Sequence, residues 1–287
     1  GAQTARNDVG AAAQEILSKL AQQAGESLGL TVLEDERENI LARGALPAVG
    51  SAVRILASAS KRPVVLFLDE VDALVGDTLI SLLRQIRSGY NDRPKLFPQS
   101  IVLCGVRDVR DYRMTMADGE VITGGSAFNI KAESLRLGDF SRAEMTALYQ
   151  QHTDATGQAF SAEALDLAWE STRGQPWLVN ALAEQAVWKT KANLDRAISI
   201  DLTRMRDARE ALILRNDTHL DQLSDKLREP RVRAIIEPML LGFGIEASES
   251  DEQYLIDLGL VRRIDGRKNL IPANAMYAEV LPRVLNS

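Results

Sequence analysis

Asp69, Glu70 and Asp72 place three carboxylates within four residues, directly after the apolar run Val64-Val65-Leu66-Phe67-Leu68. Adjacent carboxylates offer hard oxygen ligands for a divalent cation and a group able to orient a water molecule. An uninterrupted apolar run of this length reads as a buried parallel strand, whose C-terminal tip is where open α/β sheets place a ligand crevice. The competing reading is a buried strand that simply ends in a solvated acidic turn.

Other groups capable of chemistry are fewer. Arg107 follows the second apolar run, Ser100 to Val106, and could face the same crevice or pair with Asp108 or Asp111. Arg84 and Arg87 lie a turn apart on the segment after the acidic strand, where solvated helix charge is the simpler reading and an arginine presented to a neighbouring subunit the sharper one. Trp177 stands beside Gly174-Gln175-Pro176 and could stack on a base or pack into a helical core. His152 and His219 have no carboxylate at ligand spacing, and two histidines with one cysteine argue against structural zinc.

The elements that position these groups follow from periodicity. Val9 to Ala24 is apolar at helical spacing and breaks at Gly25 to Gly29, and a second helix is expected from Pro47 to Ser60. The acidic strand leads into a helix at Asp77 to Arg87, then the Ser100 to Val106 strand, which makes a parallel βαβ unit. A shorter extended piece is expected at Glu133 to Leu137. Thereafter the pattern is helical: Ser141-Arg142-Ala143-Glu144 is a capping box, Ser161 opens a second helix, Pro176 a third, and charged helices follow at Asp201 to Arg215 and Asp217 to Leu227. Past Glu229-Pro230 come helices at Arg231 to Leu241 and Asp251 to Leu258, then two extended runs around Asp265-Gly266, a strong hairpin signal, and a closing helix. That order suggests a winged-helix unit.

The 287 residues are 45% hydrophobic and 26% charged, enough for a multi-layer core with one or two smaller units attached. The net charge of -6 argues against nonspecific coating of nucleic acid, although a local basic patch survives such an average. No stretch reads as a membrane span or as a secretory signal, and the single Cys104 cannot form an internal disulfide, so a cytoplasmic home is expected.

With these pieces in place, the chain resembles the AAA-like ATPases of the signal-transduction (STAND) type that carry a C-terminal winged helix. The resemblance rests on Leu66-Phe67-Leu68-Asp69-Glu70-Val71-Asp72, Cys104-Gly105-Val106-Arg107-Asp108-Val109-Arg110-Asp111-Tyr112-Arg113, Gly174-Gln175-Pro176-Trp177-Leu178-Val179-Asn180 and Pro272-Ala273-Asn274-Ala275-Met276-Tyr277. It implies an α/β P-loop NTPase core over residues 1–138, a helical lid over 139–228 and a winged helix over 229–287. The cofactors it implies are ATP or ADP with Mg²⁺. By position Asp69 would hold the metal, Glu70 would polarise the hydrolytic water, Arg107 would sense the γ-phosphate, and Gly174, Gln175 and Pro176 would set a lid-helix N-terminus near the adenine.

The family's Gly-Lys-Ser/Thr phosphate turn does not occur in this sequence. In the family that turn and its strand precede the segment corresponding to Gln3 to Asp8, so the core is expected to be incomplete, with its phosphate-loop strand missing, and this chain is expected to be inactive in hydrolysis. The strand at Ser100 to Val106 would then carry an unpaired edge, to be repaired by Glu133 to Leu137, by the N-terminal segment or by self-association. Two other functions stay open. One is a non-catalytic module whose lid and winged helix bind a protein partner. The other is a DNA-binding regulator using Arg262, Arg263, Arg267 and Lys268, which the acidic Glu246, Glu249, Asp251 and Glu252 oppose.

Overall fold

The computed structural model describes residues 8–105, 114–115, 121–122, 133, 135–215, 226–245, 247–264 and 269–285. The chain is an α/β protein that divides into two compact units, Gly1–Leu135 and Arg136–Ser287.

The first unit opens with α1 (Val9–Leu28), started by Asp8, whose carboxylate accepts hydrogen bonds from Gly10 N and Ala11 N. The helix does not break at Gly25 as its sequence suggests. A lone glycine costs a helix only about 1 kcal/mol, whereas Gly29 at φ 65° supplies the left-handed cap that ends it. Two short helices that periodicity did not reveal, α2 (Val32–Asp35) and α3 (Arg37–Ala42), lead to α4 (Ala48–Ala59). Strand β1 (Val65–Leu68), α5 (Gly76–Ser88) and β2 (Ser100–Leu103) follow, and β1 pairs with β2 in parallel from Val65↔Ser100 to Leu68↔Leu103. The helices α1, α4 and α5 share a core built on Leu17, Leu33, Leu79, Leu83 and Phe97. Gly50 N donates to Gln85 Oε1 at 2.7 Å, so the small residue lets α4 and α5 approach closely.

The expectation of a strand buried on both faces is corrected here. Leu66, Leu68, Ile101 and Leu103 pack against the helical core. On the opposite face Val65 is 52% and Phe67 67% exposed, because the helices cover one face and no second layer covers the other among the described residues. The expected extended piece at Glu133 to Leu137 is also not a strand where it is described, and Leu135 and Leu137 are exposed. Among the described residues β2 pairs only with β1, so that segment does not repair its edge. The N-terminal segment 1–7 lies outside the described residues. A separate two-residue antiparallel ladder joins β3 (Met114–Thr115) to β4 (Val121–Ile122).

The second unit begins with α6 (Arg142–Thr156), where Ser141 and Glu144 form the expected capping box, and α7 (Ala162–Thr172), capped by the Ser161 side chain. Helix α8 (Pro176–Glu184) continues into a π-helical turn at Gln185–Lys189, and α9 (Leu202–Leu214) follows. The expected helix at Asp217 to Leu227 falls outside the described residues except for its last two positions. Then come α10 (Pro230–Leu241), α11 (Glu249–Asp257), the antiparallel pair β5 (Val261–Arg263) and β6 (Leu270–Pro272), and α12 (Ala275–Leu285). The Asp265-Gly266 turn itself lies outside the described residues. One apolar cluster runs through the unit from Met145 to Leu281. No described helix is long and apolar enough to cross a membrane.

Candidate functional site

The acidic turn is built by the two strand ends. Cys104 N donates to Leu68 O at 2.8 Å, and Val71 N donates to Cys104 O at 3.1 Å, so the chain beyond β1 stays clipped to the tip of β2. Val71 is buried and opens a 3₁₀ turn over Val71–Ala73, which anchors the turn from below. Between these anchors Asp69 and Glu70 are exposed and Asp72 is half-buried.

The local geometry depends on two residues. Glu70 adopts φ 53° and ψ 38°, a left-handed conformation that costs a non-glycine residue about 1–2 kcal/mol. Glu70 N donates to Asp69 Oδ1 at 2.9 Å, which fixes one carboxylate oxygen at the strand tip. Gly105 leaves room for the turn, since a Cβ there would stand 3.2 Å from Val71 Cγ2 and 3.3 Å from Asp72 Oδ1.

As a metal site this donor set suits magnesium and not a closed protein cage. Among the described residues no group of three His, Cys, Asp or Glu side chains converges as metal ligands. Magnesium commonly takes one or two carboxylates and fills its remaining positions with water and substrate phosphates. An exposed Asp69, with only Oδ1 engaged by the Glu70 N–H among the described contacts, is compatible with that requirement.

The Gly174-Gln175-Pro176 turn belongs to the second unit and has a different construction. Gly174 sits at φ 83°, and a Cβ on it would come within 1.9 Å of the Phe140 carbonyl oxygen. Phe140 N donates to Gly174 O at 2.8 Å, and Gln175 N to Thr172 O at 3.0 Å. Pro176 occupies the first position of α8, where its missing N–H costs nothing. The free N–H groups expected at this helix start are partly engaged, because Gln175 Oε1 accepts from Leu178 N at 2.6 Å. Trp177 packs partly into the helical core.

Asp69 and Glu70 are therefore brought together on one turn, and Gly174, Gln175 and Pro176 on another. Arg107 lies outside the described residues, as do Arg267, Lys268 and His219. Arg262 and Arg263 are exposed on β5, and Arg263 pairs with Glu252 of α11 at 3.2 Å. The acidic first turn of α11 thus takes up part of the basic charge that a nucleic-acid surface would need. His152 bonds to Gln158 rather than to a carboxylate. The feature that sequence reasoning missed is the π-helical turn after α8, for which no periodicity signal exists.

No protein-family model matches the chain, and no curated protein matches it. Among solved structures it is similar to a lysine-to-arginine mutant of Thermotoga maritima RuvB, at 15% identity over 91% of this chain and 94% of that one, with a TM-score of 0.46. It is similar also to the Thermotoga maritima RuvB Holliday junction branch migration motor, at 16% identity over 94% of this chain and 93% of that one, with a TM-score of 0.44. An alanine-to-serine mutant of the same protein gives 16% identity, coverage of 93% and 94%, and a TM-score of 0.46.

Proposed function

We propose that this chain is a nucleotide-binding part of an AAA-like ATPase that acts as a conformational switch. In this reading residues 1–138 form the core, 139–228 a lid and 229–287 a winged helix. The observation that carries it is the acidic turn at the C-terminal tip of β1, held by backbone hydrogen bonds to β2 and left open to solvent on its carboxylate side. Asp69 would ligate Mg²⁺ and Glu70 would orient water, with Arg107 as the γ-phosphate sensor. Magnesium bound there would neutralise charge on phosphate oxygens. Gly174 through its left-handed backbone and Gln175 through its capping side chain fix the start of α8, and Pro176 and the helix N-terminus would border the adenine.

Because the sequence contains no Gly-Lys-Ser/Thr turn, the test is binding and not turnover. Calorimetric titration with ATP, with and without Mg²⁺, is expected to show Mg²⁺-dependent binding that Asp69→Asn weakens by about ten-fold or more. The variant keeps an oxygen to accept from Glu70 N, so its fold is preserved. Absence of binding at millimolar ATP would refute the nucleotide site.

A second reading, a non-catalytic protein-interaction module, draws on the bare apolar face of β1, where Val65 and Phe67 are exposed. Self-association or a protein partner accords with either reading. Nucleic-acid binding is less favoured, since Glu252 already holds Arg263.

A further inference from the structure

Two stretches of the first unit carry a surplus of positive charge that the acidic turn does not use. Across the end of α4 and the approach to β1 lie Arg54, Lys61 and Arg62, with no carboxylate among residues 54–63. Across the end of α5 and the approach to β2 lie Arg84, Arg87, Arg93 and Lys95, and the one carboxylate among residues 84–99 is Asp92.

The fold brings these stretches to one pole. Arg54 pairs with Asp92 and donates to Ser88 O at 3.4 Å, which ties the last turns of α4 to the end of α5. Gln99 N donates to Val64 O at 2.8 Å, so the start of β2 lies beside the start of β1. The loop between α5 and β2 is pinned by Phe97, which is fully buried against Gly89, where a Cβ would stand 2.2 Å from its ring. The Arg54 guanidinium lies over the same ring, 5.4 Å from the centroid. Both stretches therefore meet at the N-terminal ends of the two strands, with about 10 Å of β1 between them and Asp69.

Seven cations against one carboxylate give this pole a surplus of six, in a chain whose net charge is -6. Cations near helix C-termini ordinarily complement the macrodipole, but two helix ends amount to only about one negative charge. The single carboxylate is already taken by Arg54. Lys61, Arg62, Arg84 and Lys95 are exposed and have no carboxylate partner among the described residues.

An aromatic ring stands amid these cations. Tyr90 opens the 3₁₀ turn Tyr90–Asp92 and is 63% exposed. The Arg93 guanidinium lies over its ring, 5.1 Å from the centroid, and among the described residues no other aromatic or cationic group contacts it. Cations that follow phosphates and an aromatic side chain that meets a base are the combination by which proteins hold single strands. A bilayer surface would call instead for an amphipathic helix lying in the interface, whereas α4 and α5 turn their apolar residues into the core.

We propose that this pole binds single-stranded nucleic acid, with phosphates on Lys61, Arg62, Arg84 and Lys95 and a base against Tyr90. The surface does not depend on the nucleotide reading. It is also separate from the β5 arginines, of which Arg263 is held by Glu252.

The test is fluorescence anisotropy of the full chain with a labelled oligothymidylate of about twenty nucleotides, in EDTA and without ATP. Saturable binding is expected, with log affinity falling against log salt at a slope of about -3 between about 50 and 200 mM, as four phosphate contacts on a single strand require. The triple variant Lys61→Gln, Arg62→Gln, Lys95→Gln is expected to bind at least about ten-fold more weakly, with the slope reduced by about two. Tyr90→Leu is expected to lose about ten-fold in affinity with the slope unchanged, the mark of a base contact and not a phosphate contact. Thermal unfolding of each variant verifies that it is folded, and the salt slope of the parent chain needs no variant. No saturable binding at about 50 mM salt, a slope near zero, or unchanged affinity in the folded triple variant would overturn the proposal. So would a larger loss in Arg262→Gln than in the triple variant, which would move the site to β5. Tighter binding of a duplex of the same length, of phosphatidylserine vesicles or of polyglutamate than of the oligothymidylate would overturn it as well.

Discussion

The two turns that the sequence marks as functional are built in opposite ways. At Asp69-Glu70 the backbone is anchored by the strand tips while the side chains stay in solvent, and Glu70 is held in a conformation that its side chain disfavours. At Gly174-Gln175 the glycine is required by φ and by contact with Phe140 O, and the glutamine side chain is consumed in capping α8. Left-handed strain at Glu70 beside open carboxylates accords with the proposed ligand-facing turn. A turn whose groups are mostly paired serves instead to fix the helix that follows.

That contrast can be broken by substitution. Gly174→Ala is expected to give the largest effect, a loss of about 3–5 kcal/mol, because the new Cβ meets backbone and not a movable side chain. Denaturant unfolding of the second unit would measure it, and a loss below about 1 kcal/mol would deny the turn its structural role. Glu70→Gly is expected to act with the opposite sign, stabilising the first unit by about 1 kcal/mol through relief of the left-handed strain. If it destabilises, Glu70 is held by contacts and the turn is not strained.

A third substitution addresses the uneven cover of the two cores. Phe67→Ser is expected to change stability by less than about 0.5 kcal/mol, because the side chain is already 67% exposed. Leu182→Ala in the second unit, where the residue is fully buried, is expected to cost about 2–5 kcal/mol. Equal losses at the two sites would mean that the open face of β1 is covered.

Acid provides a subtler probe of the second unit. Burial raises the pKa of Glu229, but hydrogen bonds from Lys226 and Arg231 and the Lys226 charge outweigh it, leaving the carboxyl below its ordinary 4.5. A depressed carboxyl pKa contributes stability that is present above pH 4.5 and lost as pH falls through the folded value. Glu229→Gln is therefore expected to be less stable than the parent chain at neutral pH, with the gap closing below pH 4.5 in parallel acid titrations.

Much of the helical framework was legible because caps are local. Ser141 with Glu144, Ser161 and Pro176 announce α6, α7 and α8 from a few side chains each. The strands were legible as apolar runs, yet a run does not say which face is covered, and Phe67 shows the cost of assuming both. Gly25 misled because a glycine permits a break without requiring one, and the deciding residue was Gly29. The ion pair of Arg263 with Glu252 depends on register between α11 and β5, which local sequence cannot fix. Trp188 was unreadable for the same reason, since its exposure follows from a π-helical turn.

The central claim is that the turn after β1 holds a magnesium–triphosphate pair through Asp69. Calorimetric titration of the full chain with ATP in Mg²⁺ and in EDTA, repeated on Asp69→Asn, tests it most directly. The account predicts heat of binding that requires Mg²⁺ and falls by about ten-fold or more in affinity in the variant. Binding that is indifferent to Mg²⁺ and to Asp69→Asn, or no binding at millimolar ATP, would contradict it.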